Sequence, residues 1–197
     1  MRRSQDASEF DDYVEHPRFG RGPQYTDVSA EKQDDPNAYT ASWRSTRETR
    51  VLGTAVAADL SRQTPATLPV LFYFDERRTC ADCCRSFLFF AEEQKYWFEQ
   101  LGFKLEADCI RCWPCRHVRQ SLEAAQARYE ELARLDCPSR QEQVELLDVG
   151  LKLCEQGIFG RKVLQRFRTI ANQLWPQDPG CAERAEFAAR LASIRAQ

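Results

Sequence analysis

From residue 114 onward the apolar positions recur at helical spacing. Val118, Leu122, Ala125, Tyr129 and Leu132 step by four and three, which predicts a helix running from about Pro114 to Leu135. Val144, Leu147, Leu151 and Cys154 give a second stripe. Ser139 and Glu142 form a capping box at its start; Gly157 is a natural stop, with Ile158 placed for the apolar contact beyond it. Val163, Phe167, Ile170 and Leu174 give a third stripe, ended by Trp175-Pro176. Asp178-Pro179 opens a last helix, an N-cap followed by a first-turn proline, with Phe187, Leu191 and Ile194 on its face. Short links between these segments predict antiparallel neighbours in a small bundle.

The middle of the chain changes period. Leu68 to Phe74 is β-branched and aromatic and predicts a short strand, with Pro69 confined to its start or an edge. Arg85 to Phe90 predicts a second strand returning antiparallel to the first, so that Cys80 to Cys84 become the hairpin tip. Ala91 to Leu101 mixes good helix formers with Phe90, Trp97, Phe98 and Leu101; Gly102 suits its C-terminal cap, with Phe103 just beyond.

Residues 1–50 sustain neither period. They are polar, poor in aliphatics and broken by Pro17, Gly20, Gly22 and Pro23. Such a segment cannot bury enough apolar surface to offset its ordering entropy, and it is expected to be a mostly disordered arm. Its aromatics, Phe10, Tyr13, Phe19, Tyr25, Tyr39 and Trp43, open a second reading, a docking segment for a partner or for the folded part. His16 is expected to be solvated. The chain thus divides into an arm (1–50), a small module (51–119) and an α-helical region (120–197), an α+β protein.

Composition narrows the chemistry. The 197 residues include nine cysteines but two histidines, and the net charge is −2. Met1-Arg2-Arg3 leads into polar residues rather than a secretory apolar run, and no stretch of about twenty apolar residues offers a membrane span. The expected setting is reducing and cytoplasmic, where paired cysteines are metal ligands before they are disulfides. Two Cys-x-x-Cys pairs stand ready: Cys80 with Cys83, and Cys112 with Cys115. Four thiolates on short chelating loops joined by a longer span satisfy the tetrahedral preference of Zn²⁺, so one structural zinc ion is expected. Cys109-x-x-Cys112 is also a legal pair, and Cys84 adjoins Cys83, so either could replace a ligand. The Cys112/Cys115 register is favoured because a helix N-terminus, carrying partial positive charge, stabilises thiolate. Cys109 and Cys84 then become packing residues, Cys154 lies on an apolar stripe, and His117 is a substitute ligand or surface.

No catalytic constellation stands out. Two histidines leave few nucleophile–base schemes, four cysteine ligands leave zinc no open position for water, and there is no Gly-rich phosphate loop. Asp59, Asp75 and Glu76 read as solvated or capping groups. Arg77, Arg78, Arg85, Arg111, Arg116 and Arg119 surround the cysteines, but Asp75, Glu76, Asp82, Glu92, Glu93, Glu99, Glu106 and Asp108 share the region, whereas phosphate tracking wants one sign. The expectation is a non-enzymatic module docking an unknown protein partner, with no membrane and no small-molecule substrate. A nucleic-acid-binding zinc ribbon is the alternative, and a thiol-based redox or zinc sensor the third reading.

Residues 55–119 resemble a family of mostly bacterial proteins of uncharacterised role with a zinc-binding, treble-clef or zinc-ribbon-like domain. The resemblance is carried by Asp59-Leu60-Ser61-Arg62-Gln63, Tyr73 to Asp75, Cys80-Ala-Asp-Cys83, Ala91 to Glu99, and Arg111-Cys112-x-x-Cys115-Arg116. It implies that the four ligands are Cys80, Cys83, Cys112 and Cys115. Two positions depart from the family pattern: Cys84 stands where glycine is common, and Phe90 where a threonine often caps the helix.

Overall fold

Two small antiparallel hairpins open the architecture. In this computed structural model, which describes residues 8–28, 48–65, 69–160, 162–175 and 182–196, β1 (Val56–Ala57) pairs with β2 (Phe72–Tyr73). β3 (Glu76–Thr79) pairs with β4 (Ser86–Phe89), with Glu76 opposite Phe89 and Thr79 opposite Ser86. The strand facing 86–89 is therefore the charged segment 76–79, not the apolar segment 68–74. The turn decides this. Cys80 N–H donates to Arg85 O and Cys84 N–H to Cys80 O, both at 3.0 Å, which leaves only 76–79 in register. The charges that made β3 an unpromising strand are matched locally, Arg78 by Glu76 and Asp108, and Arg77 by Glu9.

Five helices follow: α1 (Ala91–Glu99), α2 (Trp113–Ala133), α3 (Arg140–Glu155), α4 (Val163–Leu174) and α5 (Ala182–Ala196). The chain forms two compact units, residues 1–116 and 117–197, so the first turn of α2 belongs to the first unit.

Among its described residues the first unit has three apolar clusters. One gathers Val70, Tyr73, Ala91, Phe98 and Leu105 under α1. The other two take alternate residues of β4. Phe87 and Phe89 join Val14 and the cysteines, while Leu88 packs with Phe10, Val51 and Phe90. Because β4 is covered on both faces, its apolar run is continuous rather than alternating. Part of that cover is the expected arm. Within it, residues 8–28 are packed, and the docking reading describes them: Phe10, Val14 and His16 are buried, and Val14 N–H donates to Ser86 O at 2.8 Å. The segment has no core of its own and borrows one. His16 is 9 % exposed, not solvated. Residues 1–7 and 29–47, with Tyr39 and Trp43, lie outside the described residues.

Buried polar groups knit these pieces together. Asp75 is fully buried, and its carboxylate accepts from the N–H groups of Ala91 and Gln24, each at 2.7 Å. It thereby caps α1 from a distance, supplying what Phe90 lacks as N-cap residue. Glu76, likewise read as solvated or capping, is instead 3 % exposed and held by Arg78. Burial raises the Asp75 carboxyl to about 6, against the pull of those two N–H donors. A folded-state value above the ordinary one means that this group favours folding most below about pH 4. That contribution is lost as pH rises through 6. Gln94 Nε2 bridges the hairpins by donating to Phe74 O and to Phe89 O. Gln63 donates to Val70 O and to the Tyr73 hydroxyl, and Glu99 accepts from Asp59 N–H. At the end of α1, Gly102 adopts φ 66°, and Phe103 packs its ring on Trp97 with centroids 5.4 Å apart.

The second unit follows the helical pattern closely. Ser139 and Glu142 make both bonds of the capping box. Gly157, at φ 71°, ends α3, and Ile158 N–H returns to Leu153 O. Ile158 itself is exposed, and it is Phe159 that packs beyond the stop, on Tyr129 with centroids 4.7 Å apart. Leu147, Leu151, Cys154, Phe167, Leu174, Phe187, Leu191 and Ile194 are all in one core with Tyr129 and Leu132. Val118 is the exception on its stripe, at 54 % exposed. Asp178 and Pro179 lie outside the described residues. α3 meets α4 at Gly150, where a Cβ would stand closer than 3.0 Å to three ring carbons of the fully buried Phe167. Gly150→Ala should therefore cost about 1–3 kcal/mol despite alanine's better helix propensity, read as a lowered denaturant midpoint of the helical unit. An unchanged or raised midpoint would contradict this packing.

Candidate metal centre

Two loops carry the centre. The first is the β3–β4 turn, from Cys80 to Arg85. The second runs from Asp108 into the first turn of α2, where Arg116 N–H donates to Cys112 O at 3.0 Å. Pro114 sits within that first turn, where its missing N–H is no loss. The loops are bound to each other directly. Ala81 N–H donates to Ile110 O at 2.9 Å, and Arg111 Nε lies 2.9 Å from both carboxylate oxygens of Asp82.

This framework brings four sulfurs together. The Sγ atoms of Cys80, Cys83, Cys112 and Cys115 all lie within 4.8 Å of one another, and Cys83 and Cys112 are 3.8 Å apart. A tetrahedron with metal–sulfur bonds of about 2.3 Å has an edge of about 3.8 Å, so the donors fit a four-coordinate cation with little movement. Cys80 and Cys112 are buried, Cys115 is half-buried and Cys83 is exposed, so the pocket is dry on its inner side and open on its outer one. Val14, Phe87 and Phe89 form the inner wall.

The electrostatics match that geometry. Burial opposes ionisation of Cys80, but the N–H groups of Cys83, Cys112 and Asp82 bond to its sulfur and bring it down to about 6. Cys112 and Cys115 are pushed up, first by burial and then by sharing a small space with the other thiols. Four thiolates at this separation repel one another; a divalent cation at their centre reverses that repulsion. The arrangement is one that binds a metal ion.

Residues 74–123 match the family described as a probable treble clef domain. The matched span holds the β3–β4 knuckle, α1, all four converging cysteines and the start of α2. No curated protein and no solved structure matches the chain.

The neighbours of the four converging cysteines stay out of the cluster. Cys109 is buried in the inner wall, its thiol donates to Arg111 O at 3.4 Å, and burial pushes it up to about 12. Cys84 is exposed and takes φ 57°, the one left-handed position at a non-glycine residue among the described residues. That conformation is what glycine supplies without strain. His117 is exposed and is not one of the grouped residues. Cys137 is exposed, Cys154 is part of the helical core, and Cys181 lies outside the described residues.

Behind the centre is a buried charge cluster that spacing alone did not reveal. Arg116 donates to Glu93 Oε1 at 2.6 Å and stacks 4.9 Å above the Trp97 ring. His16 Nε2 stands 3.8 Å from the same carboxylate. Within α1 its members Glu93 and Trp97 stand one turn apart.

Cysteine replacements should sort by position. Cys112→Ser should lose most bound metal and unfold the first unit, whereas Cys109→Ala should retain metal and lose only packing. Cys84→Gly should retain metal and raise stability by about 1 kcal/mol by relieving the left-handed strain. Metal content by elemental analysis and denaturant midpoints on the same samples decide each case. Metal loss from Cys109→Ala with retention in Cys112→Ser would reverse the ligand set.

Proposed function

We propose that Cys80, Cys83, Cys112 and Cys115 hold one zinc ion in a structural role, and that the chain is a non-enzymatic module for binding another protein in a reducing, cytoplasmic setting. The observation that carries the metal reading is the convergence of four sulfurs within 4.8 Å on a knuckle and a helix N-terminus. Four-sulfur tetrahedral sites belong to zinc or iron, and a closed set of four leaves no position for a catalytic water. Zinc bound there would supply the cross-link between the two loops and neutralise their thiolates. The residues around it bear on fold rather than reaction. Asp75, Gln63, Gln94 and Glu99 all spend their side chains on backbone groups.

The pairing of the arginines favours a protein partner over nucleic acid. Arg77 is matched by Glu9, Arg78 by Glu76 and Asp108, Arg111 by Asp82, and Arg116 by Glu93. Side chains spent this way release little counterion on meeting phosphate. A sensor built on the surplus thiols gains no support from Cys109, whose burial disfavours the reactive thiolate. Among the described residues no helix is long and apolar enough to cross a membrane.

Protein purified under reducing conditions without chelator should carry about one equivalent of zinc per chain, and a strong chelator should unfold the first unit. Less than about half an equivalent, or full helicity and unchanged tertiary signal after stripping, would count against a structural zinc site. Titration with DNA and RNA at low salt should stay flat; binding that weakens steeply with salt would restore the nucleic-acid reading.

A further inference from the structure

Residues 8–28 lie on the treble clef unit as a peptide lies on a receptor. They contribute side-chain anchors and a few main-chain bonds, and no core of their own. Phe10 is 2 % exposed and enters the cluster of Val51, Leu88 and Phe90. Arg77 brackets it, with its guanidinium 5.5 Å from the Phe10 ring and Nη2 3.1 Å from the Glu9 carboxylate. Val14 N–H donates to Ser86 O at 2.8 Å, the outer edge of the knuckle hairpin, while its side chain joins the cysteine wall. His16 packs against the rings of Phe19 and Phe90, which also touch each other, and stands beside Glu93. At the far end Gln24 N–H is held by Asp75, and Thr26 N–H by Gly53 O at 2.7 Å. An acidic residue, an aromatic anchor and an apolar residue four positions further on make a linear recognition pattern.

We propose that this surface is a peptide-binding groove held shut in cis by residues 8–28, and that its partner is a protein segment of the same chemistry: acidic residue, aromatic anchor, then an aliphatic residue four positions on. The proposal rests on the interaction-module reading above and names the surface and partner class for it. Tethering gives the arm an advantage, since a linked segment meets its site at an effective concentration on the order of millimolar. A free segment with equal contacts loses to it, so binding follows arm release or requires stronger anchors. Glu9 and Phe10 on the arm, and Arg77 and Leu88 in the groove, set the specificity.

The test uses the full chain with a protease site placed between residues 29 and 47, cut after folding so that the arm becomes a separate peptide. A labelled peptide of residues 8–28 is then titrated into cut and uncut protein. The expected result is exchange into the cut protein with at least tenfold higher apparent affinity than into the uncut. The same peptide carrying Phe10→Ala should bind the cut protein at least tenfold more weakly, as loss of a buried aromatic anchor requires. Equal signals for cut and uncut protein, or none for either while zinc content and far-UV spectrum are unchanged, would overturn the groove. Zinc loss on cutting would also overturn it, by showing that the segment is part of the wall of the centre and not a displaceable ligand. Dimers of the uncut protein formed by exchange of arms would overturn the assignment to a different protein's segment. A partner that binds cut and uncut protein alike would leave the interaction reading standing and remove this surface from it.

Discussion

Four cysteine sulfurs drawn within 4.8 Å of one another are the constraint on which the first unit depends. Its strands are two and four residues long, and its apolar residues fall into three small clusters rather than one core. Hairpins of that size are marginal alone, and small domains without a sufficient core need staples. Here four converging sulfurs bring together the tip of one hairpin and the first turn of a helix. The inner wall of the centre also contains Val14, Phe87 and Phe89, so the order of β4 and of the packed N-terminal segment is coupled to the same sulfurs.

Around that point the unit is held by buried polar groups with fixed partners. Asp75 replaces an absent cap on α1 and fastens Gln24. Gln94 joins the ends of two strands, and Gln63 closes the loop that leads to Val70. These residues lie in the same segments that carry the resemblance to the zinc-binding family. Their side chains are occupied with main-chain N–H and C=O groups that would otherwise be orphaned, which gives a physical account of why those residue types stand there. The motifs of the middle of the chain describe how it folds, and the proposed recognition surface lies beside them, under residues 8–28.

What could be read in the sequence was what local chemistry dictates. The capping box at Ser139, the stops at Gly102 and Gly157, and the apolar stripes of α3 to α5 are all set within a turn or two of the chain, and the structure has them. The four cysteines that converge were visible as two Cys-x-x-Cys pairs, and the family pattern marked Cys84 as a glycine position. What escaped was fixed by distant partners. Residues 76–79, three of them charged, form a strand because the hydrogen bonds of the Cys80–Arg85 turn set the register and Glu9, Glu76 and Asp108 neutralise the arginines. His16 read as solvated because its cover, Phe90 and Glu93, lies more than seventy positions away in sequence. The segment around it shows no period of its own, for its apolar residues answer to β4 as much as to each other.

The composition of the centre decides whether four sulfurs and a metal ion hold the first unit. X-ray absorption at the zinc edge of the purified full-length chain measures it directly. The result expected is a single shell of four sulfurs at about 2.3 Å, with no nitrogen or oxygen ligand. A shell with three sulfurs or fewer, completed by histidine or water, would contradict it and would open the coordination position that four cysteines close.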